Sequence, residues 1–331
     1  MRRNFSLLAA LLLLAACGNA TGGNTTTTTE PPSTTTTEMV ATTTLPAPTT
    51  TTVESVFPVT IEDDHGPVTI EARPDSIVSL SSVATEILFA IGAGDQVVAV
   101  DDQSNHPDEA PMTDLSGFTP NIEAILSYEP DLVFISYDPG DLIASLEAAG
   151  VPVISYTAAV TVDGTYDQIE ATGVATGHEQ AAIDLNDRIS SELDQIAAGA
   201  PEVPQGTTYF HEIDSNLYTV TSSTYFGQVY AMFGLENIAD AADPDGSAFG
   251  YPQLSSEFVV SADPDLIVLA DALYGESLET VSARPGWSVL TAVQEGNVFE
   301  LDADTASRWG PRIVDFAQSV ADALVVYTSQ G

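Results

Sequence analysis

Length, composition and charge already limit what this chain can do. It has 331 residues and 48 Asp and Glu side chains against 7 basic ones, for a formal net charge of −41 at pH 7. This balance argues against nucleic acid as a partner, because binding to phosphates requires clustered cations. The single cysteine excludes a disulfide within the chain and a cysteine-based metal site.

The N-terminus has the pattern of an export signal. Arg2-Arg3 precedes an apolar run at 5–14 that is too short to span a bilayer, and Leu-Ala-Ala-Cys at 14–17 fits a lipoprotein cleavage site. We therefore expect residues 1–16 to be removed and Cys17 to be lipidated, which would anchor the protein to the outer face of the cell membrane. The alternative is an ordinary signal peptide with an incidental cysteine.

A tether is expected between the anchor and the folded region. Residues 17–56 are dominated by Thr with several Pro, and they have little apolar surface to bury. Such a composition predicts a disordered, fairly extended segment. The chain from residue 57 onward is long enough for two lobes.

Short apolar runs alternate with helical spacing in the first half of this region. Strands are predicted at 77–80, 97–100, 132–136 and 152–156, and helices at 84–91, 121–128 and 142–149. This alternation is typical of a parallel sheet, so residues 57–162 are expected to form an N-terminal α/β lobe.

Residues 163–200 interrupt the alternation. Leu185, Ile189, Leu193 and Ile196 recur at helical spacing, and no strand pattern intervenes. The segment therefore predicts one long connecting helix. The α/β rhythm then resumes, and residues 201–331 are expected to form a C-terminal lobe. Its strands are predicted at 207–210, 217–220, 266–270 and 298–301, and its helices at 226–233, 289–294 and 311–327.

One stretch occurs twice, 134 residues apart. NIEAILSYEPDLVFIS at 121–136 aligns with SSEFVVSADPDLIVLA at 255–270, and each copy predicts a short helix, a turn and a buried strand. A repeated unit at this distance indicates two similar lobes. Two lobes create a cleft, which is where small ligands usually bind.

Several ordered motifs give the chain a family resemblance. They are RPDSIVSLSSVATEILFAIGAG at 73–94, NIE at 121–123, EPDLV at 129–133, YPQLS at 251–255 and RWGPR at 308–312. Together they resemble periplasmic-type binding proteins for vitamin B12 and ferric siderophores, over roughly residues 70–326. Ser82 departs from the family, which often has Pro there.

The resemblance implies the substrate-binding lipoprotein of an ABC importer. Its expected fold is two α/β lobes with parallel sheets, joined by a single long helix, with the ligand cleft between them. The expected partners are a corrinoid or ferric siderophore, the permease subunits and the membrane, with a monomeric protein and no resident cofactor. Haem or free metal-ion binding, or an envelope sensor or enzyme on the same scaffold, are the alternatives.

Candidate ligand residues follow from the resemblance and from position. Arg308 and Trp309 precede the last helix, where the family's loop faces the cleft, and Asp304 lies four residues earlier. Arg308 is equally well explained by a structural salt bridge, and Arg312 is expected to be structural. The aromatic candidates are Tyr251, Tyr137 after strand 132–136, and Phe118. Tyr225 and Gln103 are weaker candidates.

Glu123 and Glu257 are equivalent positions of the repeat. Family members use an acidic residue at each of these positions to dock on arginines of the permease, and charge-assisted pairs suit that role. The alternative is stabilisation of a helix N-terminus, where a carboxylate favours the helix dipole.

No catalytic or metal-binding arrangement is apparent in the sequence. His65, His106, His178 and His211 lack ligand spacing, and His211-Glu212 is the one pair that suggests a metal. Paired catalytic carboxylates, a Ser/His/Asp order and a phosphate-binding glycine loop do not stand out. We therefore expect a binding protein with no metal site of its own.

Overall fold

The computed structural model describes residues 56–330. The signal at 1–16, the lipidation site at Cys17 and the tether up to residue 55 lie outside this range. No helix within 56–330 has both the length and the apolar character needed to cross a membrane.

The first lobe is built on a five-stranded sheet in which all neighbours run parallel, in the order β5-β4-β3-β6-β7. The strands are β3 (Ile77–Leu80), β4 (Val97–Asp101), β5 (Met112–Leu115), β6 (Leu132–Ile135) and β7 (Val153–Ser155), and the helices are α1 (Ser82–Ala90), α2 (Ile122–Leu126) and α3 (Leu142–Ala148). An antiparallel hairpin precedes them, formed by β1 (Val59–Asp63) and β2 (Gly66–Ile70). Strands β3 and β6 are buried at every position, as their continuous apolar runs require.

The second lobe has a four-stranded parallel sheet in the order β11-β10-β8-β9. Its strands are β8 (Thr208–Glu212), β9 (Glu236–Asn237), β10 (Leu266–Leu269) and β11 (Val298–Glu300), and its helices are α6 (Tyr225–Met232), α7 (Ser256–Ala262), α8 (Leu278–Ala283), α9 (Thr291–Glu295) and α10 (Ile313–Ser329). The two parallel sheets confirm the expected α/β class. The strand predicted at 217–220 is wrong, because this stretch forms only an isolated bridge between Tyr218 and Gln253.

The segment between the sheets is two helices where the sequence predicted one. They are α4 (Val162–Thr176) and α5 (Glu179–Gly199). Gly177 ends α4 with a φ of +78°, and the His178 amide donates back to the Gly173 carbonyl at 2.7 Å, which closes the helix end. At Gly173 an added Cβ would lie 2.5 Å from the Ala182 Cβ, so the glycine permits the close packing of α4 on α5.

One hydrophobic core continues from the first sheet to the second. It includes Ile87 of α1 and Phe134 of β6, passes through Ile189 of α5, and reaches Tyr230 of α6 and Phe316 of α10. Apolar burial is therefore shared between the lobes along the α4–α5 face. The far faces of the two sheets have their own smaller clusters, around Ile125 and Val259.

The repeat keeps its local chemistry in both lobes. Asn121 and Ser255 are the N-caps of α2 and α7, and their side chains accept from the amides of Ala124 and Phe258 at 3.1 and 3.2 Å. The helix that follows each cap leads into a central strand of its sheet, β6 or β10. The repeated sequence therefore positions equivalent elements in the two lobes.

Candidate functional site

A cavity of about 380 Å³ lies where the carboxyl ends of the two sheets meet. Residues at or just after the strand ends of both lobes line it. They include Leu80, Asp101, Ser136, Ile213 and Ala270, together with the loop at 303–309 that follows β11. This cavity is the cleft of the following paragraphs.

The first lobe contributes an aromatic wall. Phe118 and Tyr137 both line the cleft, and their ring centroids are 5.7 Å apart. Phe118 is 64% exposed and Tyr137 is 39% exposed, although both are large apolar rings. Exposed rings that face a cavity offer a flat apolar surface to a ligand.

The opposite wall comes from residues that sequence reasoning missed. Leu273 and Tyr274 line the cleft from a single turn after β10, and they are 75% and 84% exposed. The turn at 272–274 is too short to carry a periodic pattern. The repeat offset was a usable signal, because Tyr137 aligns with Asp271, three residues before Tyr274.

Arg308 lines the cleft, but its guanidinium is already bound by the protein. Nη1 donates to Glu86 Oε1 at 2.7 Å, while Nη2 donates to Asp304 Oδ1 at 2.9 Å and to the Gln103 carbonyl at 3.1 Å. Among the described residues that line the cleft, Arg308 is the only basic one, against the two carboxylates of Asp101 and Asp304. Within 56–330, the cleft lining therefore holds no unpaired cation.

Arg312 shares the same carboxylate. Its Nε and Nη2 donate to Glu86 Oε2 and Oε1 at 3.0 and 2.7 Å, so one buried glutamate accepts from two arginines. Asp304 also accepts from Asn105 Nδ2 at 2.9 Å. Because Glu86 and Asn105 belong to the first lobe and the arginines follow β11, these bonds join the two lobes.

The remaining predicted residues fall in different places. Trp309 lines the cleft, and its indole Nε1 is buried without a hydrogen-bond partner. Gln103 lines the cleft as well, but the fully buried Tyr225 donates to the Gly310 carbonyl at 3.2 Å and packs in the core.

Tyr251, predicted as a cleft wall, is not among the residues that line this cavity. Gly250 has a φ of +83°, and the turn brings the half-buried Tyr251 ring against the hydrophobic core. Burial raises the pKa of its phenol. The Tyr-Pro sequence gave no indication of this change of direction.

A buried polar network supports the cleft beneath Tyr137. Ser104 Oγ donates to Asp101 Oδ1 at 2.6 Å, and the Thr85 hydroxyl lies 3.0 Å from the Ser104 hydroxyl and donates to Ser79 at 2.9 Å. Burial raises the pKa of Asp101, although the hydrogen bond from Ser104 opposes this effect. A carboxyl group of this kind can accept a hydrogen bond from a ligand amide.

Glu123 and Glu257 occupy equivalent exposed positions. Each lies in the first turn of its helix, α2 or α7. The N-cap position is already filled by Asn121 or Ser255, so neither glutamate is needed as the capping side chain. Each helix leads into the amino end of a strand, β6 or β10, so we expect its N-terminus to face the carboxyl edge of the sheet, the cleft side.

The histidine–glutamate pair is divided between two partners. His211 is fully buried, its Nδ1 lies 2.8 Å from the Tyr230 hydroxyl, and burial lowers its pKa to about 4. Glu212 accepts from Arg284 at 2.6 and 2.5 Å, while burial raises its pKa to about 7 against the opposing effect of Arg284. Within 56–330, no group of three or more His, Cys, Asp or Glu is arranged to hold a metal ion.

The chain that forms this cleft is similar in sequence to known proteins. The family model for a periplasmic binding protein matches residues 77–305. YvrC of Bacillus subtilis, an uncharacterized ABC transporter substrate-binding lipoprotein, is 32% identical over 279 residues, covering 81% of this chain and 86% of that protein. A cobalamin-binding protein of Halobacterium salinarum is 30% identical over 279 residues, covering 81% of this chain and 74% of the relative.

A solved structure shares the fold. It is a possible iron-binding, periplasmic solute-binding protein from Staphylococcus epidermidis, with a TM-score of 0.67 and 25% sequence identity. The match covers 76% of this chain and 99% of that one. The resemblance drawn from the sequence motifs is confirmed at the level of the family.

Proposed function

The chain belongs to the periplasmic binding protein family, and we propose that it captures a corrinoid for an ABC importer. The cobalamin-binding relative from Halobacterium salinarum supports this choice of ligand. A ferric siderophore is the other cargo that the resemblance implies. Binding without chemistry is consistent with relatives that are named as binding proteins.

One observation favours the corrinoid over anionic ligands. The cleft has apolar rings on both walls, Phe118 and Tyr137 facing Tyr274, while its single guanidinium is occupied by carboxylates. A corrin is a broad, largely apolar macrocycle with amide side chains, which suits ring walls and polar acceptors such as Asp101. A ligand with several negative charges would find no free cation here and two nearby acids.

Delivery would use the exposed glutamates of the repeat. Glu123 and Glu257 present one negative charge per lobe on the cleft side. We propose that they pair with arginines of the two permease subunits, which would hold the cleft opening over the transport path. Asn121 and Ser255 already cap these helices, so the glutamates are not needed as caps, which supports this assignment.

Anchoring and organisation complete the proposal. Lipidated Cys17 would hold a monomer at the outer membrane face, and the Thr-rich tether would let the 57–162 and 201–331 lobes reach the permease. Two or more lipid chains anchor a protein firmly, whereas one holds it weakly.

The ligand can be tested with Cys17→Ser protein, which lacks the anchor. Fluorescence titrations with cyanocobalamin, a ferric hydroxamate siderophore and haemin should show saturable quenching with cyanocobalamin at the lowest concentration. Trp309 lines the cleft, whereas Trp287 is buried and bonded to Ser256, so Trp309→Phe should remove most of the signal. Tighter binding of haemin than of cyanocobalamin would overturn the proposal.

Haem is the second candidate. The Tyr137 and Tyr274 side chains face the same cleft from opposite walls, and a tyrosine phenol can serve as an axial ligand of haem iron. If haem is the cargo, Tyr274→Phe or Tyr137→Phe should change the absorption spectrum of bound haemin. Corrinoid binding would be insensitive to these isosteric changes.

A further inference from the structure

Glu86 is a buried carboxylate placed between two arginines of the opposite lobe. It lies in α1, is 3% exposed, and accepts from Arg308 through Oε1 and from Arg312 through both oxygens. The chain has only 7 Lys and Arg residues, and two of them bind this one glutamate. Because the glutamate is buried, the cluster cannot serve to keep the protein surface soluble.

The cluster neutralises the only base that lines the described cleft. Arg308 and Arg312 contribute two positive charges, while Glu86 and Asp304 contribute two negative charges within 2.7–3.0 Å of them. Only Arg308 and Asp304 of this group reach the cleft; Glu86 and Arg312 stand behind them. The guanidinium therefore faces the ligand space with its charge already balanced.

We propose that Glu86, assisted by Asp304, is a specificity-determining residue that withholds Arg308 from anionic ligands. An anion that recruits Arg308 has to weaken the bond to Glu86 and leave a buried carboxylate with less compensation, which is costly. A neutral ligand makes no such demand. This is selection by an arrangement that disfavours the wrong ligand. The inference rests on the proposed use of the cleft as the ligand site, but it does not depend on which ligand is native.

The test compares Glu86→Gln with Glu86→Gln/Arg308→Gln. Glutamine keeps the size of residue 86 and removes its charge, so Arg308 loses its buried counter-ion in the first variant and is absent from the second. The probe is anilinonaphthalene sulfonate, an aromatic anion whose fluorescence rises on binding. We expect the single variant to bind it about tenfold more tightly than the parent, because one charge-assisted contact becomes available.

The double variant should bind the dye as weakly as the parent. The gain of the single variant should also shrink in high salt, because added ions screen the new attraction. Equal dye affinity of the single and double variants would overturn the inference, because the gain would then not depend on Arg308. Tight, Arg308-dependent dye binding by the parent would overturn it as well.

A second pair of variants covers the case in which Glu86→Gln fails to fold. Glu86→Gln/Arg312→Gln removes one acid and one base, as does Glu86→Gln/Arg308→Gln. It leaves the half-exposed Asp304 as the carboxylate bound to Arg308. The dye should bind more tightly to the variant that retains Arg308. Equal affinities of the two variants would contradict the proposal that Glu86 withholds Arg308 from anions. Cyanocobalamin is titrated separately against the parent, so failure of the corrinoid proposal is distinguishable from failure of this one.

Discussion

Asp131 and Asp265 are equivalent residues of the repeat, and each ties its own strand to a neighbouring strand of the same sheet. The Asp131 carboxylate accepts from the amides of Asp75 and Ser76 at 3.0 and 3.1 Å, just before β3. Asp265 accepts from the amide and the hydroxyl of Thr208 at 2.8 and 3.0 Å, at the start of β8. The aspartates are 134 residues apart, so the repeat preserves a hydrogen-bonding role as well as a hydrophobic pattern.

Asp265→Ala should lower the free energy of unfolding by about 1–3 kcal/mol, because two donors at the start of β8 lose their acceptor. Urea denaturation of the variant and the parent measures the difference. Asp245→Ala, which removes a loop carboxylate bonded to Ser247 within its own turn, is the control and should cost less. A smaller effect for Asp265→Ala than for the control would contradict the strand-tying role.

Tyr274→Ala and Phe118→Ala should each weaken cyanocobalamin binding by about tenfold or more, because each removes a ring from a cleft wall. Isothermal titration or fluorescence quenching gives the affinity. Phe249→Ala removes a ring that is 87% exposed and not among the cleft-lining residues, so it should leave the affinity unchanged. Loss of binding by the Phe249 variant alone would mean that the ligand sits elsewhere.

Charge reversal at Glu123 and Glu257 should impair delivery while sparing capture. If these glutamates pair with permease arginines as proposed, Glu→Arg at both positions places like charges against each other, and we expect loss of transporter binding and of ligand-stimulated ATPase activity. A reconstituted transporter and a ligand titration on the same variants measure the two effects. Glu147→Arg makes the same charge change near the C-terminus of α3, away from the cleft side, and should behave like the parent. Normal permease binding by the double reversal would exclude docking through these residues.

His211 should make the fold sensitive to acid. Burial lowers its pKa to about 4, whereas an unfolded histidine titrates near pH 6.5. Between these values the unfolded chain takes up a proton that the folded protein refuses, so stability falls as the pH falls through this window, by up to about 1.4 kcal/mol per pH unit. Glu212, whose pKa is raised to about 7, contributes the opposite trend over the same range, so His211→Gln should remove the loss of stability on acidification and leave stability rising as the pH falls from 6.5 to 4.5. An unchanged slope would show that another group governs this range.

Cys17→Ser should release the protein from the membrane fraction, because the proposed lipid anchor would be attached to that thiol. Cell fractionation with mass spectrometry of the N-terminus measures location and cleavage together. Ligand binding by the released protein should equal that of the parent. Membrane retention of a correctly cleaved, unlipidated form would contradict the anchor.

Local patterns predicted the buried strands at the centre of each sheet. Strands 77–80 and 132–136 were visible as continuous apolar runs, and they are the fully buried β3 and β6. The N-caps Asn121 and Ser255 are local features in the same way, since a cap depends on a few adjacent residues. These features depend little on the rest of the chain.

Features set by tertiary packing were not visible. The close packing of Gly173 against Ala182 has no counterpart in the helical pattern at 163–198. The break at Gly177 did have a local signal, because a glycine that takes a positive φ is a common helix end. The sequence could not distinguish a ligand-binding Arg308 from one in a structural salt bridge, because its partner Glu86 lies 222 residues away in the chain. Tyr274 belongs to a single turn whose position relative to the cleft is set by β10.

The core that runs unbroken through both lobes also bears on how fast ligands exchange. Because the two walls share one packed core, opening or closing the cleft would disrupt that packing and cost free energy. Capture should therefore be a single bimolecular step, with an observed rate that rises linearly with ligand concentration and no plateau from a slow isomerisation. The residence time of a ligand on the free protein would then depend on its contacts with the cleft walls.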